Sequence, residues 1–287
     1  MNYFGGALKK SETYDVAILG VPYDEKSSFL RGPAKGPQAI REAWTGEEHS
    51  AWTELGVDLE NALTMVDLGD LDVSGQFSQI SGRIESAVRS VLEKDAVPIV
   101  LGGDHSISYP IVKAMAEKFR SLDILHFDAH PDLYEELYGD RYSHACPFTR
   151  ILEEGLAKNL VQVGIRASVG EHWERAEAHH VRMIEMKDFS DELELVFDNP
   201  LYVSFDIDAL DPAFAPGVSH RVPGGLSSRQ ALAVLHALKA EIAGMDMVEV
   251  NPDRDPSGIT ASAAAKIVME MAGKIGLRRQ PMSKSSD

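Results

Sequence analysis

A single cysteine, Cys146, occurs in the 287 residues. No internal disulfide can form, and the composition fits a reducing compartment. Positive charge is scarce as well: 28 Lys and Arg stand against 45 Asp and Glu, a formal charge of −17. That balance speaks against nucleic acid or an anionic membrane surface as a partner and favours cationic ligands, besides keeping the chain soluble. No apolar stretch reaches the roughly 18–20 residues of a membrane span. The opening residues MNYFGGALKKSETY lack the apolar core of a signal peptide. A soluble, cytoplasmic protein is the expectation. A clear linker and an internal repeat of fixed short period are absent too, which leaves no place to divide the chain.

What is present is an alternation. Apolar runs at 14–20, 63–68, 97–101, 122–127, 160–165, 181–185, 201–207 and 245–250 read as strands. Between them lie helical patterns: one opened by Pro37, then 78–93, 106–119, 148–154, 169–178, 227–242 with Ser227 as cap, and 259–274. About eight strands alternating with helices predict an α/β fold, a three-layer αβα sandwich around a central, mainly parallel sheet. Right-handed crossovers then place every strand C-terminus on one rim, where ligands bind. A closed (β/α)₈ barrel has the same pattern and stays open at this point.

Three of these strands end in metal-type side chains. HFDAHPD puts Asp128, His130 and Asp132 two apart, SFDIDALDP puts Asp206 and Asp208 two apart, and LGGDHS places His105 just past its strand. Strand period is two, so residues at that spacing face one side and converge beyond the strand end. Four carboxylates in one pocket repel unless cations neutralise them. Two divalent metals sharing bridging carboxylates resolve this, and an oxygen-rich set suits Mn(II) better than Zn(II). Such a pair lowers the pKa of a shared water and supplies a nucleophile. A dinuclear phosphoesterase is the rival, but its GNH and GHTH-like elements are missing, and phosphate would want positive charge.

GGDHS (102–106), DAHPD (128–132), SFDIDALDPAFAPG (204–217) and VEVNP (248–252) resemble the signature blocks of the ureohydrolases, the arginases and agmatinases. The resemblance spans about 14–276, nearly the whole chain. DAHPDLYEE, YSHACPF and DPAFAPGVSH are most similar to plant-type arginases. It implies one domain over 1–276, with 277–287 a polar tail, and two Mn²⁺ per subunit. His105, Asp128, Asp132 and Asp206 would hold one ion and Asp128, His130, Asp206 and Asp208 the other. His144 in SHACP matches the family's proton-shuttling histidine, and Glu249 matches the carboxylate that holds the guanidinium group, which it can grip in fork geometry. Asp132 and His144 can relay a proton to the leaving amine.

The implied reaction is hydrolysis of L-arginine to urea and L-ornithine, with agmatine to urea and putrescine, or another guanidino compound, as the alternative. The partner is then a small cationic guanidino substrate, and the resemblance suggests a homotrimer or homohexamer. Substrate-binding candidates are Glu249, His144, Tyr134, Ser143 and His220 on the rim loops. Animal arginases carry an asparagine where Tyr134 stands, so the carboxylate of arginine needs other groups, such as Arg141, Ser143 or a neighbouring subunit. Acidic Glu135, Glu136 and Asp140 pull mildly toward agmatine; the plant-type resemblance in the same loops outweighs them. Cys146 reads as packing, and His179 and His180 as the surface of a helix end. A non-catalytic guanidine-binding protein and a single-metal deacetylase fit the complete ligand set less well.

Overall fold

Alternation along buried strands decides how this chain layers. In the computed structural model, which describes residues 3–47 and 49–279, strand β1 (Val16–Val21) is buried throughout. Val16 and Ile18 enter one apolar core while Ala17, Leu19 and Val21 enter the other. The remaining strands are β2 (Met65–Asp70), β3 (Val97–Gly102), β4 (Asp123–Phe127), β5 (Asn159–Ile165), β6 (Arg182–Glu185), β7 (Leu201–Asp206) and β8 (Ile242–Val248). They form one sheet in the order β2-β1-β3-β8-β7-β4-β5-β6, with neighbouring strands parallel. The sheet is open at β2 and β6, which selects the sandwich over the barrel.

The helices are α1 (Gly36–Glu42), α2 (Leu59–Ala62), α3 (Phe77–Leu92), α4 (Ser108–Lys118), α5 (Pro147–Glu153), α6 (Gly170–Ala178), α7 (Ser228–Ala237) and α8 (Ile259–Arg279). Ile40, Leu59, Leu235 and Ile267 place α1, α2, α7 and α8 on one face, and Ile84, Ile111, Ile151 and Ala176 place α3 to α6 on the other. Hydrophobic burial on both faces is what lets a parallel sheet persist. Among the described residues no helix is long and apolar enough to cross a membrane.

Two of the stretches read from the sequence differ by three residues or more. The helix expected over 227–242 ends at Ala237, and β8 begins at Ile242. Ser227 does cap it, accepting the Gln230 N–H while the Gln230 side chain accepts the Ser227 N–H. Ala231, Leu232, Leu235, Leu238 and Ile242 keep a helical spacing, but Ile242 is held in register with Leu201 of β7, so strand pairing overrides the local pattern. α8 runs through Arg279, so residues 277–279 of the expected polar tail are helical; residues 280–287 lie outside the described residues.

Candidate active site

The four central strands β3, β8, β7 and β4 lead into His105, Glu249, Asp206, Asp208, Asp128, His130 and Asp132 at one rim. Strands β4 and β7 turn off in the same local way. Asp128 Oδ1 accepts the His130 N–H at 2.6 Å and Asp206 Oδ1 accepts the Asp208 N–H at 2.8 Å. Asp208 Oδ1 accepts the Ala129 N–H at 3.0 Å. One oxygen of each carboxylate is thereby fixed to backbone and the other is aimed inward. His105 Nδ1 lies 3.2, 3.0 and 3.4 Å from carboxylate oxygens of Asp128, Asp132 and Asp206. His130 Nδ1 lies 3.3 Å from Asp128 and 3.2 Å from Asp208. Asp128 therefore belongs to both groups.

Hydrogen-bond direction tests whether these residues suit a cation. The Ser204 hydroxyl donates to Asp246 at 2.7 Å, so it accepts from His105 Nε2 at 2.9 Å. The His105 proton then sits on Nε2. Its Nδ1 lone pair, wholly buried and without a hydrogen-bond partner, faces the three carboxylates. A lone pair among anionic oxygens is repelled unless a cation lies between them, and a donor set of imidazole and carboxylate fits a divalent metal. Charge tells the same story. Burial, then Asp208 and Asp128, push Asp206 well above the usual carboxylate range, and burial with Asp128 raises Asp132. Burial would raise Asp128 too, but the His105, His126 and His130 imidazoles beside it hold it well below.

His126 belongs to a layer behind the ligands. Gln162 Nε2 donates to the Pro131 carbonyl at 2.7 Å and to His126 Nδ1 at 2.9 Å, so His126 presents its proton on Nε2 to Asp128 at 2.9 Å. Its Nε2–H orients Asp128, and its distance to Asp128 and His105 also suits a ligand group. Gln162, His126, Ser204 and Asp246 stand in register across β5, β4, β7 and β8 as one buried polar row. Asp246 completes it by accepting from Ser108 (2.5 Å), Tyr202 (2.6 Å) and Ser204. Sequence reasoning passed over this row. Its trace is one polar residue interrupting each apolar run, in Ser204 and His126 two positions before a ligand.

Beside the cluster, Glu249 and His144 are in contact at 2.8 Å. Asp132 (φ +51°) and Glu249 (φ +62°) both adopt left-handed backbone, a strain of about 1–3 kcal/mol each that surrounding structure must hold. For Glu249 the clamps are its own N–H to the Gly103 carbonyl (2.9 Å) and the His105 N–H onto Oε1 (3.1 Å). Gly103 itself lies close against the loop after β1, where a Cβ would lie 2.1 Å from the Tyr23 carbonyl oxygen. His144 Nε2 accepts the Ser28 N–H at 3.1 Å and meets the Ser28 hydroxyl at 2.8 Å. Burial opposes a charge on His144, but Glu249 raises its pKa to about 9. Asp104 anchors this loop by accepting the Lys26 N–H at 2.9 Å, and its own pKa is raised to about 7 by burial and Glu249.

A cavity of about 240 Å³ opens over the cluster, lined by His130, Asp132, His144, Asp206, Asp208 and Glu249 and, further out, by Ser28, Tyr134, His172 and His220. Tyr134 and His220 thus reach the cavity. Ser143 does not line it: it is buried, and its hydroxyl accepts the Ala145 N–H at 3.4 Å. Arg141 is spent on Glu135 (3.3 Å) and Glu153 (3.0 Å), outside the cavity. Cys146 is buried with its thiol pushed up to about 12, and His179 and His180 are exposed.

Open parallel sheet, strand-end carboxylates and imidazoles, and an acidic cavity define a metal-dependent hydrolase of the αβα sandwich class. Residues 14–273 match the arginase family, and the chain belongs to that family. Over 276 residues it is 46% identical to Arginase 1, mitochondrial, of Arabidopsis thaliana, covering 90% of this chain and 80% of that one. The solved structure of an arginase from Medicago truncatula superposes with a TM-score of 0.86 at 42% identity, covering 91% and 88%. An agmatinase of Bacillus subtilis (strain 168) is 37% identical, covering 91% of each chain. The mitochondrial name of the Arabidopsis relative overturns the cytoplasmic expectation. One cysteine reports on thiol chemistry and cannot tell one reducing compartment from another.

Proposed function

We propose that the protein hydrolyses L-arginine to urea and L-ornithine at two Mn²⁺ ions. His105, Asp128, Asp132 and Asp206 would hold one and Asp128, His130, Asp206 and Asp208 the other. The observation that carries this is the His105 Nδ1 lone pair facing three carboxylates, two of which, Asp132 and Asp206, line the cavity with Glu249. Bound divalent cations supply a nucleophile at neutral pH by acidifying water.

The chain's own residues do the rest. Asp132, Asp206, Asp208 and Glu249 line a cavity that draws a guanidinium group. Glu249 takes two of its N–H groups side by side and fixes the carbon's face, which matters because a delocalised cation is a poor electrophile unless held in line. A guanidinium group on Glu249 competes for the oxygen that now accepts from His144, and releases that imidazole to move a proton. His144 and Asp132 then deliver it to the leaving amine. Tyr134 and His220 shape the outer wall. Arginine is preferred to agmatine because relatives named arginase reach 46% identity and the agmatinase 37%.

Residues 1–276 act as one domain in this reading, and the subunits form a trimer or hexamer; sedimentation velocity checks the latter. The main test is urea release by the Mn²⁺-loaded protein from arginine and agmatine at matched, sub-saturating concentrations. Higher kcat/KM for arginine is expected. Higher kcat/KM for agmatine overturns the substrate, and no urea from either overturns the reaction.

A further inference from the structure

The outer part of the cavity poses a problem of charge. Among the described residues no Lys or Arg lines it. Arg141 and Arg175 both pair with Glu135 instead. A carboxylate at the far end of a substrate must therefore find neutral donors. Several are already committed: Ser219 donates to the Leu30 carbonyl at 2.7 Å, and the Ser28 hydroxyl sits on His144. Tyr138 is 90% exposed and fixes nothing.

His172, in the first turn of α6, is different. It is 2% exposed and lines the cavity. Its Nδ1 accepts the Val169 N–H at 3.3 Å, so the ring's proton is on Nε2. The Tyr134 ring stands across it, centroids 4.2 Å apart at 72°, and pins its plane. Nε2 is buried and has no hydrogen-bond partner in the protein. Burial pulls the His172 pKa down to about 4, so the ring is a neutral donor at physiological pH. A buried donor without an acceptor is costly, and a ligand carboxylate removes that cost.

We propose that His172 Nε2–H receives the carboxylate at the amino-acid end of the substrate and is the residue that separates arginine from agmatine. The inference rests on the arginine reading above. An N–H donor has nothing to offer the tail ammonium, which both compounds possess. It offers a bond to the carboxylate, which only arginine has. Sites built around a polar partner reject the analogue that lacks it far better than apolar pockets do.

The experiment compares the Mn²⁺-loaded wild type with His172→Phe and His172→Gln on three substrates: arginine, agmatine and 5-guanidinopentanoate, which keeps the carboxylate and lacks the ammonium. His172→Phe is expected to lower kcat/KM roughly ten- to hundredfold for arginine and 5-guanidinopentanoate, mainly through KM, with agmatine much less affected. His172→Gln, which keeps an N–H donor, is expected to recover part of the loss. If the phenylalanine is not accommodated, His172→Leu makes the same comparison; thermal midpoint and manganese content establish that each variant is folded and loaded. An equal loss on all three substrates, or an unchanged arginine-to-agmatine ratio, overturns the role of His172. A wild type that releases no urea from arginine overturns the substrate reading and this inference with it; an active wild type confines any failure to His172.

Discussion

His144 Nδ1 donates to Glu249 Oε1 at 2.8 Å while its Nε2 accepts the backbone N–H of Ser28 at 3.1 Å. The two contacts pull against each other. The negative Glu249 favours a second proton on the ring, and the Ser28 N–H disfavours it, because a protonated Nε2 has no lone pair to offer. The imidazolium has to turn from the Ser28 backbone to the Ser28 hydroxyl, which is 2.8 Å from Nε2 and can accept.

That pairing predicts a pH dependence of stability in metal-free protein. His144 is raised from 6.5 to about 9 on folding. Its contribution is therefore complete below about pH 6.5 and is lost as pH rises through about 9. Thermal midpoints of the wild type and His144→Asn, taken from pH 6 to 10, should converge with rising pH. A gap that stays constant removes the linkage.

Glu249→Gln and His144→Asn should separate binding from proton transfer. The first keeps the shape but removes the charge that grips and orients the substrate, and kcat/KM should fall roughly a hundredfold or more. The second should lower kcat by about 10²–10⁴-fold with manganese content unchanged. Wild-type kcat in His144→Asn would falsify its role in proton transfer.

Chelation should abolish urea release and added Mn²⁺ should restore it, while far-ultraviolet circular dichroism stays folded, because most of both apolar cores is packed between the sheet and its helices. The thermal midpoint should fall on chelation, since cations that bind only the native state add about 2.7 kcal/mol at a hundredfold excess over Kd. Full activity in stripped protein ends the metal assignment.

Ser204→Ala tests the buried row. It leaves the His105 Nε2–H without its acceptor and removes one of three donors to Asp246. Metal affinity should drop roughly 10–100-fold, read by competition with a fluorescent chelator, while added Mn²⁺ recovers most of the activity. Unchanged affinity shows that the row serves stability alone.

That the strand-end residues would gather at one rim was legible because it follows from local rules. Asp128, His130 and Asp132 repeat at strand period, Asp206 and Asp208 likewise, and each follows a run apolar enough to be a buried strand. Resemblance of the VEVNP and SHACP blocks then singled out Glu249 and His144. The same local rules misplaced the end of α7, where helical spacing runs on into residues that belong to β8.

Strand order had to come from the folded chain. Insertion of β8 between β3 and β7 brings Glu249 to the His105 N–H across 144 positions of sequence and lines up Gln162, His126, Ser204 and Asp246 across four strands. Which imidazole nitrogen carries a proton, which arginine is already spent on Glu135, and whether His172 meets an acceptor depend on neighbours that only this packing supplies. Side-chain periodicity says which face a residue takes; pairing between distant strands says what it meets there, and that is a non-local choice made by burying both faces of the sheet at once.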